Sequence, residues 1–283
     1  MRAVLPWVRK MVAKSRSGQT LAAHFRQELR PDRWIFIIGC YNSGTTLLRE
    51  MLARHPQIAA LPAEGVRLTD SLPRPEDFGW NRMWCRCVEH IRLQPGPGME
   101  ERCERIRRQW SLVVPGRPTC VLEKSIANTA RTPFLQQYFQ PAYFVHLVRD
   151  GYAVAEGIRR KAQPTREAAR EFGQRYPVSL CAQQWRDSLK CFDADRDELG
   201  NVLELRYEEL TADPVSCLRS ITEFLQLPTP ADTDALCQFH IHGVQSVIVN
   251  MNADSRRRLS AQDCEEIDKV AGEQLLRLGY ERD

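Results

Sequence analysis

The stretch Trp34-Ile35-Phe36-Ile37-Ile38-Gly39, followed by Cys40-Tyr41-Asn42-Ser43-Gly44-Thr45-Thr46, decides the fold. A continuous apolar run bounded by glycine reads as a strand buried on both faces, the kind found in parallel sheets. A polar, glycine-bearing loop then leads into an amphipathic helix predicted over about 45–54, stopped by His55-Pro56. Working outward, further strands are expected at 119–122, 142–148 and 201–205, with a short extended piece at 57–61. Helical periods lie at 126–139 (interrupted near Pro133), from Asp150 onward, along the stretch carrying Trp185, at 216–225 and at 261–278. Strands separated by helices predict an α/β fold: a single domain with a central, mostly parallel sheet flanked by helices and a P-loop-like phosphate loop after the first strand. The domain is expected over 31–283, after a basic arm at 1–30. A proline-, arginine- and tryptophan-rich insertion at about 69–118 should hold two helices and little sheet.

Composition narrows the class. The 283 residues are 43% hydrophobic and 27% charged, with a net charge of +4. A chain of this size and balance folds as a globule, not as a disordered or fibrous polymer. No window approaches the apolar length of a membrane-spanning helix. The ten cysteines are scattered, and Val4, Leu5, Trp7 and Val8 are broken by Pro6, Arg9 and Lys10, which leaves no secretory apolar core. A reducing, cytoplasmic setting with free thiols is therefore expected. Cys85-Arg86-Cys87 is half a metal site without a second half, so no metal is expected. His240 and His242 read as packing or surface histidines. Arg2, Arg9, Lys10, Lys14, Arg16 and Arg26 all precede the first acid, Glu28. A solvated terminus is the plainer reading of this arm; peripheral contact with anionic lipid or an acidic partner is the alternative. No basic face interleaved with aromatics points to nucleic acid. The sequence leaves the oligomeric state open.

The loop after the first strand carries the chemistry. Gly39 to Thr46 fits Gly-x-x-x-x-Gly-Lys-[Ser/Thr] except that Thr45 stands where lysine is required. A loop that hydrolyses nucleoside triphosphate uses that lysine on the β and γ phosphates. Hydroxyls and backbone N–H groups at a helix N-terminus still suit an anion, here a diester or phosphosulfate in preference to magnesium-bound triphosphate. An ordinary strand-to-helix turn with a Ser or Thr cap would show the same glycines. Two further segments favour the ligand. Arg149 follows the strand at 142–148, at the edge where open α/β sheets bind ligands. Arg206-Tyr207-Glu208-Glu209-Leu210 follows the strand at 201–205, and Asp213-Pro214 comes soon after.

Taken in order, these segments resemble the sulfotransferase superfamily, whose members use 3′-phosphoadenosine 5′-phosphosulfate (PAPS). Ser43-Gly44-Thr45-Thr46-Leu47-Leu48 looks like the family's 5′-phosphosulfate loop and Val148-Arg149-Asp150-Gly151 like the start of its 3′-phosphate segment. Arg206 to Leu210 with Asp213-Pro214 and Phe224-Leu225 looks like its Arg-Tyr-Glu stretch, and Leu278-Gly279-Tyr280 matches its close. The flavour is that of the bacterial and tyrosylprotein branch. Two departures stand out: Asn42 replaces the Arg or Lys that usually precedes Ser-Gly-Thr-Thr, and Gly157 replaces a serine that usually contacts the 3′-phosphate.

The resemblance implies transfer of a sulfonate from PAPS to an acceptor hydroxyl (carbohydrate, tyrosyl or small metabolite) without a metal. Such transfer needs a base, in-line geometry and donors for the growing oxygen charge. Glu64, in Pro62-Ala63-Glu64-Gly65-Val66-Arg67, is the candidate base, with His90 second. Lys124 and Asn42 are the candidates for the sulfonate. Asn42, Ser43, Gly44, Thr45, Thr46 and Arg149 are expected on the nucleotide, with Arg160 or Lys161 supplying the anion contact that Gly157 cannot make and Tyr207 stacking on adenine. Trp110 and Trp185 read as core, Glu123 as a structural partner of Lys124. The run Asn250-Met251-Asn252 with Ser255 and Arg256 to Arg258 is a candidate to close over the nucleotide. Two alternatives remain: a catalytically degenerate nucleotide-binding member of the same fold, and a nucleotide-dependent phosphotransferase with an altered loop.

Overall fold

A computed structural model describes residues 11–230, 239–241, 244–246 and 248–282. Arg2, Arg9 and Lys10 of the basic arm, and His242, lie outside the described residues; His240 falls in a short strand.

Five strands form one sheet: β1 (Arg33–Gly39), β2 (Ile58–Ala60), β3 (Cys120–Glu123), β4 (Ala142–Val148) and β5 (Asn201–Arg206). Their order is β2-β3-β1-β4-β5, and every neighbouring pair is parallel. β1 is central: Ile35 pairs with Leu122 of β3 on one side and Tyr143 of β4 on the other. Its residues alternate between the two faces of the sheet. Trp34, Phe36 and Ile38 join one apolar core with Phe134, Phe139 and Phe144. Ile35 and Ile37 join another with Leu48, Met51, Val145, Leu218 and Ile221. That two-sided burial is why the run from Trp34 to Ile38 carries no polar residue.

Helices cover both faces. α1 (Arg16–Phe25) precedes the sheet, α2 (Thr45–Leu52) follows β1, and the insertion holds the short α3 (Val88–Ile91) and the longer α4 (Met99–Trp110), with no strand. α4 sends Cys103, Ile106 and Trp110 into the first core, so the insertion covers a sheet face. α1 packs on α4, where Gln109 Nε2 donates to the Gln19 carbonyl and Arg26 donates to the Ser111 carbonyl at 2.9 Å. The described part of the basic arm is thus a docked helix.

The expected break near Pro133 falls at Arg131, between a 3-10 turn (Ile126–Ala130) and α5 (Thr132–Tyr138). Pro133 sits in the first turn of α5, where its missing N–H would have had no partner in any case. α6 (Gly151–Lys161) begins on an Asp150 side-chain cap. α7 (Arg166–Phe172) and α8 (Val178–Asp195) lead to β5. α9 (Tyr207–Ala212) and α10 (Pro214–Phe224) follow it; beyond the antiparallel pair β6 (Phe239–Ile241) and β7 (Val244–Ser246) come α11 (Asn252–Arg256) and α12 (Ala261–Arg277). α6, α8 and α12 share a third apolar core around Trp185.

Candidate active site

All five strands of the sheet point their carboxyl ends at one cleft of about 750 Å³. In sheet order they deliver Glu64 just after β2, Lys124 after β3, Asn42 to Thr46 after β1, Arg149 after β4 and Tyr207 after β5, and the first, second, fourth and fifth of these stations line it together with Asn42, Gly44, Thr45 and Thr46. A ligand edge at the carboxyl ends of a parallel sheet is the general rule for open α/β folds.

The loop is anchored below and open above. Thr129 Oγ1 accepts from Gly39 N–H at 2.9 Å and donates to Gly39 O at 3.0 Å, fixing the last residue of β1. Gly44 precedes α2 in a left-handed conformation, φ 94°, and no side chain caps the helix. The Ser or Thr cap of an ordinary turn is therefore absent, and the first N–H groups of α2 have no partner within the helix. Ser43 Oγ, Asn42 Nδ2 and Arg149 Nη2 are buried polar atoms with no hydrogen-bond partner in the protein. Uncapped N–H groups beside buried donors without acceptors fit an anionic ligand.

On the β3 side, Lys124 Nζ donates to Glu64 Oε1 at 2.8 Å. An ammonium has three donors, so two remain for the cleft that Lys124 lines. Arg67 Nε stands 3.9 Å from Glu64 Oε2. The neighbouring residue holds the loop that presents Glu64. Glu123, fully buried, accepts from Gly65 N–H at 2.7 Å, from Ser125 N–H at 3.1 Å, and from the Ser125 hydroxyl and Asn128 amide. Burial pushes its carboxyl up to about 6, against the lowering pull of the Ser125 and Gly65 donors. Trp110 Nε1 donates to the Gly65 carbonyl at 3.1 Å. A Cβ on Gly65 would stand 2.6 Å from the Trp110 ring and 2.7 Å from Glu123 Oε1, so glycine is required there.

On the β4 side, Arg149 is buried, and burial lowers its pKa. Its Nε donates to Asn252 Oδ1 and its Nη1 to Asn42 O, both at 2.7 Å. Its guanidinium lies 4.2 Å from the Tyr207 ring centroid, a favourable cation–π placement. The Tyr207 hydroxyl donates to Val249 O at 3.1 Å and accepts from Met251 N–H at 3.2 Å. Glu208 accepts from Asp150 N–H, Asn252 Nδ2 and the Tyr280 hydroxyl. Residues 249–252 are thereby strapped across this side of the cleft. Arg256 pairs with Asp150 at 2.6 Å.

Of the residues singled out in the sequence, the cleft gathers Glu64, Lys124, Asn42, Gly44, Thr45, Thr46, Arg149, Lys161 and Tyr207. Ser43 is buried beneath them. Arg160 is not among the lining residues; it pairs with Glu156 at 3.0 Å. His90 is also outside, exposed and stacked on Phe78 with ring centroids 4.4 Å apart. One face of Tyr207 is occupied by Arg149, so the ring supports the arginine and the loop. Trp185 donates from Nε1 to the Arg149 carbonyl at 3.0 Å. Both tryptophans read as core are core; Trp185 also fixes the backbone at Arg149, and Trp110 that at Gly65, next to Glu64. No group of three or more His, Cys, Asp or Glu side chains among the described residues has the arrangement of a metal site.

Comparison with known proteins follows the same lines. A family model described as "Sulfotransferase family" matches residues 34–231. The chain is 27% identical over 207 residues to protein-tyrosine sulfotransferase A of Caenorhabditis elegans, covering 70% of this chain and 51% of the relative. It thus spans about half of that relative's length. Among solved structures, a sulfotransferase of Mycobacterium avium superposes with a TM-score of 0.60 at 16% identity, covering 99% of this chain and 88% of the other. A mouse sulfotransferase complexed with PAP superposes with a TM-score of 0.50 at 14% identity, covering 93% and 90%.

Proposed function

From the premise that the chain belongs to the sulfotransferase family, we propose that it moves a sulfonate group from PAPS to an acceptor hydroxyl. The observation that carries this reading is the Glu64–Lys124 pair, 2.8 Å apart, in the same cleft as the uncapped N-terminus of α2. The buried donors Ser43 Oγ, Asn42 Nδ2 and Arg149 Nη2 fit a ligand with more than one anionic group. The mouse sulfotransferase of like fold is complexed with PAP, adenosine 3′,5′-bisphosphate, the nucleotide that PAPS leaves once its sulfonate has gone, and this supports PAPS as the donor.

PAPS, when bound, supplies a sulfonate on a good leaving group. The rest is the work of this chain. Glu64 takes the acceptor's proton as the acceptor oxygen forms its bond to sulfur and the bond from sulfur to the 5′-phosphate oxygen breaks, with adenosine 3′,5′-bisphosphate leaving; this general-base role needs a carboxylate within hydrogen-bond reach. Lys124 keeps that carboxylate in place and turns its remaining N–H groups to the sulfonate and to the bridging oxygen on which charge grows. The α2 N-terminus with Ser43, Thr45 and Thr46 binds the 5′ end, and Arg149 binds the 3′ end. Glu123 and Trp110 clamp Gly65 from its two sides, so Glu64 is presented on a fixed backbone.

The reading is tested by calorimetry with adenosine 3′,5′-bisphosphate against ADP, followed by single-turnover transfer from PAPS to a panel of alcohols and phenols. Preferential binding of the bisphosphate and transfer to at least one hydroxyl are expected. Equal affinity for the two nucleotides would overturn it. Binding without transfer would favour the degenerate member of the fold.

A further inference from the structure

Asn42 occupies the loop position at which the sequence predicts a contact to the sulfonate, yet its geometry points elsewhere. Its φ of 60° is left-handed, a conformation asparagine tolerates better than most residues. The side chain packs against α6: a Cβ built on Gly157 would stand 3.1 Å from Asn42 Cβ and Cγ and 3.4 Å from Nδ2. α6 follows β4. The amide therefore lies on the β4 flank of β1 with Arg149, whereas Glu64 and Lys124 rise from the β2 and β3 flank.

That flank has more donors than acceptors. Asn42 Nδ2 and Arg149 Nη2 are both buried without a partner, and Arg149 Nη1 reaches the Asn42 carbonyl at 2.7 Å, which brings the guanidinium beside the Asn42 peptide. Lys161, on the last turn of α6, lines the same cleft and has no carboxylate partner among the described residues. The nearby carboxylates face other donors. Glu156 Oε1 pairs with Arg160 while its Oε2, buried without a hydrogen-bond partner, lies 3.7 Å from Arg258; Asp150 pairs with Arg256, and Glu208 accepts from Asp150 N–H, Asn252 and Tyr280. Against that single carboxylate oxygen stand two buried, unpartnered nitrogen donors and an ammonium around one corner of the cleft, an excess of donors that suits an anion.

We propose that Asn42 and Gly157 act as a matched pair: the Asn42 amide takes the space a side chain at 157 would fill and, with Arg149 and Lys161, reads the 3′-phosphate of the donor. The assignment rests on the PAPS reading and sharpens it, because it makes Asn42 a nucleotide-selectivity residue and leaves the sulfonate to Lys124 and the α2 N-terminus.

The test compares the affinities of adenosine 3′,5′-bisphosphate and 5′-AMP, by calorimetry, in the parent, Asn42→Gly, Asn42→Asp and the double variant Asn42→Gly with Gly157→Ser. Glycine accepts the left-handed backbone without strain, so Asn42→Gly removes the amide alone, and circular dichroism confirms the fold. Asn42→Gly should lose about tenfold or more in affinity for the bisphosphate, as expected for a hydrogen bond to a charged group, with 5′-AMP little changed. Asn42→Asp should lose more, since a carboxylate then faces the phosphate. The double variant should regain part of the preference, because the freed space admits the introduced serine hydroxyl. If Asn42→Gly keeps the parent's preference, or weakens both ligands equally, the pairing is overturned while the donor reading stands. If the parent itself shows no preference for the bisphosphate, the donor reading falls and the subsite falls with it.

Discussion

Gly44 and Tyr207 meet so closely that a Cβ on Gly44 would stand 2.6 Å from Tyr207 Cδ2 and 3.0 Å from Cε2. The tyrosine ring fills the space against the loop between β1 and α2, carries Arg149 on its face and holds residues 249 and 251 through its hydroxyl. One side chain from the end of β5 therefore sets the spacing between the loop, the arginine and the strap.

Gly44→Ala should disturb all three. The left-handed backbone alone costs about 1–2 kcal/mol for a residue with a Cβ, and the ring must also move. A lowered melting temperature together with weaker binding of adenosine 3′,5′-bisphosphate is expected. A variant with parental stability and affinity would show that the loop tolerates a displaced Tyr207.

Lys124→Ala removes the donor nearest the proposed base and leaves Glu64 without its 2.8 Å partner. Loss of such an electrostatic donor typically lowers the rate by about 10²–10³. Bisphosphate affinity should hardly change, because Lys124 rises on the opposite flank of β1 from Arg149. Single-turnover rates and calorimetry on the same preparation separate the two effects. A rate within about threefold of the parent, far short of that loss, would pass the sulfonate contact to Arg67.

Arg149→Ala should act in the reverse order. Removing its charge-assisted hydrogen bond should weaken bisphosphate binding by about ten- to a hundredfold. Asn252 Oδ1 and the Asn42 carbonyl lose their donor at the same time. Arg149→Lys should rescue only partly, since a point charge cannot reproduce the planar fork. Titrations with bisphosphate decide between these outcomes.

Asp70 gives an acid-limb prediction. Hydrogen bonds from Arg105 hold its carboxyl down at about 2, against an ordinary value of 3.8, with Gln109 and Ser71 adding to the effect and burial opposing it. A depressed value in the folded state means that the stabilisation is present above 3.8 and is lost as pH falls through about 2. The contact ties the turn after Leu68 to α4, the helix that ends in Trp110. Melting temperatures measured down the acid range should fall less steeply in Asp70→Asn than in the parent. Parallel curves would remove Asp70 from the acid response.

The central strands were legible because burial on both faces demands apolar side chains: Trp34 to Ile38 supplies an unbroken run, and Ala142 to Val148 is interrupted by His146 alone. Their order in the sheet was not, since each pairing joins residues far apart in the chain. The turn from β1 into α2 was legible from its glycines. The clamp on Gly65 was not: Trp110 and Glu123 lie 45 and 58 residues further along the chain, and only the buried indole N–H, which needs an acceptor, hinted at a role beyond packing. The approach of Asn42 to Gly157 depends on how α6 docks against the loop, a tertiary event with no local signature. The two departures from the family pattern therefore read as separate losses in the sequence and as one contact in space.

The central place of β1 also shapes how the chain must be made. Both of its hydrogen-bonding neighbours, β3 and β4, are encoded later. As the polypeptide leaves the ribosome, the greasy segment from Trp34 to Ile38 has no strand to join until Cys120, and then Ala142, have been synthesised. Pairing across such separations is slow, and an unpaired apolar strand is prone to stick to its like. During that interval the nascent chain depends on chaperone cover or on α2 folding back over the segment, and soluble yield should respond to the speed of translation between β1 and β4.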